Sequence, residues 1–165
     1  MIDYDETRFP RYPVPADDSF EEMPNHWFVF DRQERTLALL RCVEGHGCFM
    51  IGQVSFTLVE FPVVSELFAN APWHSPAERL YAAFQFGSVT EKRVEQSRDY
   101  LLKAAKEGVY DLELRPLRNV LSRVRLKLSQ LEIAPVSIIG TGYMLRRITP
   151  ITATLYGRKR AHEDE

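Results

Sequence analysis

The run RPLRNVLSRVRLKLSQLEIAPVSIIGTGYML, Arg115 to Leu145, contains two different periodicities. Leu117, Val120, Leu121, Val124, Leu128 and Leu131 recur at offsets of three, four and seven, which is the spacing of a helix. At about 100° per residue these six fall in one stripe of roughly 100° width. Pro116 fits the first turn of such a helix, where a missing N–H costs nothing. Arg118, Asn119, Ser122, Arg123, Leu126, Ser129 and Gln130 share the opposite face, with Arg125 and Lys127 on its flanks. Beyond the helix, 135–139 (PVSII) and 143–145 (YML) read as two short strands. The Gly140-Thr141-Gly142 turn between them calls for positive φ. Arg146 and Arg147 close the segment.

Working outward, residues 56–61 (FTLVEF) place Thr57 three residues before Glu60 at the head of an apolar run, which is a capping box. Phe61, Val64, Leu67 and Phe68 continue it as a helix to about Asn70. Pro62 lies past the first turn and removes one helical hydrogen bond. Residues 71–75 read as a loop, and Ser75 with Glu78 caps a second helix through Leu80, Tyr81 and Phe84. Upstream, residues 27–31, 35–42 and 48–51 read as strands separated by turn-like breaks.

Three segments carry a resemblance: RVRLKL at 123–128, IIGTGYML at 138–145 and FTLVEF at 56–61. Together they resemble the carboxy-terminal DNA-binding domain of OmpR/PhoB-type response regulators. That family typically writes R-L-R-x-K-L on its recognition helix, V-R-G-x-G-Y-x-L in its wing and L-T-x-x-E-[FY] at its first helix. The resemblance spans about Trp27 to Leu145 and implies an α+β fold of winged helix-turn-helix type. Its parts would be an N-terminal antiparallel sheet, three core helices and a C-terminal β-hairpin wing, lacking a receiver domain. It further implies that the helix enters the major groove of duplex DNA and that the wing, Gly140, Thr141, Gly142 and Tyr143, touches the adjacent backbone.

In that frame Asn119, Ser122, Arg123 and Leu126 lie along the outermost column and face base edges. Asn and Arg can make bidentate contacts to adenine and guanine, and a Leu can meet a thymine methyl. Arg115, Arg118, Arg125, Lys127, Arg146 and Arg147 are placed for phosphates.

One feature is long for the family. Residues 85–113 stand where a short loop usually joins the second helix to the recognition helix. They carry their own helix signal at about 88–108, with Ser88 and Glu91 as a capping box and Gly108 as C-cap. Val94, Tyr100, Leu101, Leu102 and Ala105 supply its apolar side. A solvated helix extending the core is one reading of this insertion. A contact surface for RNA polymerase is the other.

The 165 residues are 45% apolar and carry a net charge of −2, enough apolar content for one domain with extensions. The charge is unevenly distributed. Residues 1–24 hold seven acids against two arginines, net −5, whereas 115–147 hold seven basic residues against Glu132, net +6. Positive charge gathered on the proposed reading element is the footprint of a nucleic-acid-binding face. The Pro- and aromatic-containing residues 1–24 read as an extended arm without regular structure, 25–147 as the winged-helix domain, and 148–165 as a tail. Within that tail, 151–156 has strand composition. No run of 18 or more apolar residues and no hydrophobic amino-terminal segment is present, so neither a transmembrane span nor a signal peptide is expected.

Cys42 and Cys48, the only cysteines, suit a reducing cytoplasm and read as buried structural residues. Cys42, His46 and Cys48 lack a fourth ligand for metal. No Gly-x-Ser-x-Gly, phosphate loop or paired catalytic carboxylates occur, so neither an enzyme nor a cofactor is expected.

The reading that follows is a cytoplasmic, homodimeric transcription regulator that binds double-stranded DNA. A second reading rests on Ile139, where the family usually has an arginine, and on Leu126, where a polar residue is usual. It is a winged-helix protein-interaction module that binds RNA polymerase or another regulator.

Overall fold

A computed structural model describes residues 8, 10–15, 22–70 and 74–148. Among the described residues the fold is α+β, with four α-helices and two antiparallel sheets. The described chain packs as two compact units. One draws on Met1–Phe56, Leu126–Ala134 and Arg146–Glu165, the other on Thr57–Arg125 and Pro135–Leu145. No described helix is long and apolar enough to cross a membrane.

The first unit is built on a meander of β1 (Arg11–Pro15), β2 (Glu22–Asp31), β3 (Thr36–Val43) and β4 (Gly47–Ser55), paired in that order. Phe28, Phe30, Leu37, Val54 and Phe56 are buried. Gly52 of β4 lies against Leu131, where an added Cβ would come within 3.0 Å of a leucine methyl. Leu131 belongs to the 3₁₀ turn Ser129–Leu131, which packs on β4. The arm is therefore not wholly irregular. Its residues 11–15 pair with β2 through Arg11↔Val29 and Tyr12↔Phe28. The two prolines in this strand are tolerated because β1 is at the sheet edge.

The cysteine reading also needs correction. Cys42 and Cys48 are directly paired across β3 and β4 and bonded as a disulfide. They sit in the outer part of the hairpin, where Cys48 and most of its neighbours are exposed.

The second unit holds α1 (Glu60–Ala69), β5 (His74–Pro76), α2 (Ala77–Phe86), α3 (Glu91–Lys106) and most of α4 (Tyr110–Leu128). The hairpin expected after the long helix forms as β6 (Ile133–Ile138) and β7 (Gly142–Arg147), and the second sheet runs β5-β7-β6. At the head of α1 the capping box forms in both directions: Thr57 N–H donates to Glu60 at 2.9 Å and Glu60 N–H to Thr57 Oγ1 at 3.3 Å. Pro62 sits in the next turn. The carbonyl it cannot serve belongs to Leu58, which is largely exposed to water.

Residues 74–76 are not loop but a short strand, with Ser75 paired to Tyr143. Ser75 is not a helix cap either. It is fully buried and donates to the Glu66 carbonyl at 3.1 Å, while Pro76 takes the N-cap position of α2. Glu66 is itself buried and holds Arg79. The Glu66 carboxylate pushes the Arg79 guanidinium above its ordinary value, against the opposing effect of burial.

The inserted helix exists, but Thr90 caps it rather than Ser88, accepting from Arg93 N–H at 3.4 Å. Ser88 accepts from the Arg93 side chain. Its inner face is Val94, Ser97, Leu101 and Ala104, while Tyr100 and Leu102 are exposed. Gly108, at φ +74°, ends the helix as expected. Val109 N–H reaches Ala104 and Gly108 N–H reaches Ala105, the paired bonds of a Schellman motif.

That stop sits immediately before α4, which begins at Tyr110 rather than near Arg115. Asp111 and Glu113 in its first turn favour the positive end of the helix. Pro116 is consequently in the helix interior, on an exposed face, and the carbonyl it leaves without an N–H is that of exposed Leu112.

Candidate functional site

The inward stripe of α4 is as the spacing predicts: Leu117, Val120, Leu121, Val124 and Leu128 are buried, joined by Leu114. Burying this stripe turns Arg115, Arg118, Asn119, Ser122, Arg123 and Leu126 outward, and all six are exposed. The outer column is therefore the side the core leaves over.

Its cations are partly committed. Arg118 donates to Asp111 at 2.7 Å, two turns earlier on the same helix. That hydrogen bond raises the Arg118 pKa further above its ordinary value, and Tyr143 of β7 adds to it. Arg123 Nε lies 3.4 Å from Oε1 of Glu60, whose other oxygen accepts Thr57 N–H. Glu60 is almost fully buried, so Arg123 balances an interior charge while half its own side chain stays in water. The side chains of Arg115 and Asn119 make no hydrogen bond among the described residues.

Arg125, placed for phosphate by the sequence reading, points elsewhere. Its Nε and Nη2 both donate to the Pro135 carbonyl, at 3.1 and 2.7 Å, which ties α4 to the first strand of the hairpin. In the hairpin turn Thr141 N–H donates to Ile138 O at 3.1 Å, and Ala77 N–H of α2 donates to Thr141 O at 3.2 Å. Gly140 has φ +74°. Gly142 is required for space: a Cβ there would lie 2.1 Å from the Ser75 carbonyl oxygen. Tyr143 is half-buried, and Ile139 at the turn is 97% exposed.

The remaining assigned residues belong to the first unit. Lys127 sits over the Phe56 ring, 5.7 Å from its centroid, and Arg147 pairs with Glu132 at 3.4 Å. Arg146 is exposed.

Two functional neighbours escape sequence reasoning. Asp111 and Glu60 both meet arginines of the outer column, and Glu60 stands 63 positions from Arg123, too far for any local pattern to reveal. No group of three or more possible metal-ligating side chains occurs among the described residues.

No protein-family model, no curated protein and no solved structure matches this chain.

Proposed function

We propose that the chain is a winged-helix DNA-binding transcription regulator of OmpR/PhoB-like type, with α4 as its recognition helix and β6–β7 as its wing. The observation that carries this reading is the outer column of α4. Arg115, Arg118, Asn119, Ser122, Arg123 and Leu126 line one exposed helix face, backed by a stripe that anchors the helix.

The element order also supports it. An antiparallel sheet, a capped helix, a second helix, a long helix and a hairpin follow the order that the resemblance implies, with α3 as the insertion and β5 as a strand the resemblance does not include. In this reading Arg115 and Arg118 meet phosphates, and Asn119, Ser122 and Arg123 meet base edges. Arg125 acts indirectly by holding the wing. α3 presents exposed Tyr100 and Leu102 toward RNA polymerase.

A second reading keeps the scaffold and changes the partner. Asp111 and Glu60 already engage two column arginines, while Leu126 and Ile139 are exposed apolar residues on the helix and wing. Those facts favour a protein ligand over an anionic one. Titration of the full chain with duplex DNA decides between them. Binding that weakens on Arg115→Ala supports the first reading, and its absence at low salt supports the second.

A further inference from the structure

The four-stranded sheet of the first unit is apolar on both faces. Along β3, Leu37 is fully buried, so Ala38 and Leu40 point to the opposite side of the sheet. Cross-strand partners share a face. The register therefore sets Trp27 and Met50 beside Leu40, and Val29 and Gln53 beside Ala38, all on that outer side. The Cys42–Cys48 pair continues it. An antiparallel sheet with one core usually gives its other face to polar residues. Here no charged residue stands at the centre of that face from β2 to β4; the Arg11 guanidinium of β1 lies over the Trp27 ring, 5.9 Å from its centroid, and Asp31 stands at the margin.

The free edge has one bulge, where Leu39 pairs with Gly52 and Leu40 with Met50, but no charged or proline guard. β4 (GCFMIGQVS) contains neither a charge nor a proline, the residues that ordinarily guard an edge strand. Phe49, Met50 and Ile51 are exposed there by 55%, 61% and 56%.

We propose that two copies of this chain associate through this outer sheet face and its β4 margin, sheet against sheet, with Leu40 and Met50 near the centre. Charge selects the occupant. Ala38, Leu40 and Met50 set no charged side chain against its like across a two-fold axis, and the cation over Trp27, Arg11, belongs to the β1 margin. Area agrees. Four strands of about eight residues make roughly 500 Å² of flat sheet from the standard rise and spacing. Side-chain relief and the exposed β4 margin carry this toward the about 800 Å² per partner of an ordinary stable interface.

Sedimentation of the full chain from low to high micromolar concentration, without DNA, tests this independently of the DNA-binding reading. The mass should rise from one chain to two. Met50→Glu and Leu40→Glu should each weaken the association at least tenfold while far-ultraviolet circular dichroism stays unchanged. Leu112→Glu, at an exposed position outside this sheet, should leave it intact. If Leu40→Glu fails to fold, Met50→Glu decides alone, since that side chain already faces water. A single-chain mass throughout overturns the proposal. So does a dimer indifferent to Met50→Glu, or growth beyond two chains, which would mean open edge-to-edge pairing.

Discussion

Arg125 gives two N–H groups to one carbonyl, that of Pro135, and so fixes the angle between α4 and the hairpin that follows it. The guanidinium fork can serve a single oxygen twice, whereas a lysine ammonium is a point donor on a flexible stem. Arg125→Lys keeps the charge and loses the fork. It should lower stability by about 2 kcal/mol, within the range for hydrogen bonds to charged groups. Urea unfolding followed by circular dichroism measures this, and a lysine variant as stable as the parent would show that the brace contributes nothing.

Gly142 and Ser75 set a limit on what the β6–β7 hairpin tolerates. Gly142→Ala forces a Cβ to within 2.1 Å of the Ser75 oxygen, so β5 and β7 must separate. The expected loss is about 2–3 kcal/mol, the upper range for overpacking. Gly140→Ala meets no neighbouring atom and carries only the strain of its positive φ, about 1 kcal/mol. Thermal melts of the two variants should differ in that order.

The capping box at α1 has both a local and a distant partner. Thr57→Ala should cost about 1 kcal/mol, the usual loss of a helix cap. Glu60→Gln should cost more, because it also removes the anion that faces Arg123. A Glu60→Gln, Arg123→Met double variant separates the two contributions: if the pair interacts, the two losses will not add.

Tyr100 supplies a signature at alkaline pH. It donates to Glu113 at 2.6 Å, and that bond, with smaller help from desolvation, pushes its pKa from 10.0 up to about 12. The fold thus favours the neutral phenol. Its contribution is complete below about pH 10 and is lost as pH rises through about 12. Ultraviolet difference titration against Tyr100→Phe should show one phenol ionising near that upper value, and Glu113→Gln should bring it down.

Much of this was legible because the physics was local. The α4 stripe, the Thr57–Glu60 box, the Gly108 stop and the Gly140–Gly142 turn each depend on residues within a few positions of one another. The errors share the opposite property. Strand β5 is three residues long and contains a proline, so no alternation could mark it; it exists because β7 pairs with it. Strand β1 is likewise hidden by its prolines. Pro116 suits a first turn and so points to a late start for α4, although the Schellman motif at Gly108 already releases the chain into helix at Tyr110. The partners of Arg123 and Arg125 lie across the fold, and the Cys42–Cys48 bond required the hairpin register.

The outer column of α4 is the centre of the account, and salt dependence addresses it most directly. Fluorescence anisotropy of the full chain on duplex DNA should show an affinity that falls steeply with salt. Each phosphate contact should add about 0.9 to the log–log slope. Arg115→Ala should reduce that slope by about one contact and weaken binding to all sequences alike, while Asn119→Ala should change preference among sequences more than slope. No binding at low salt, or binding indifferent to both salt and Arg115→Ala, would contradict a DNA-reading role for α4.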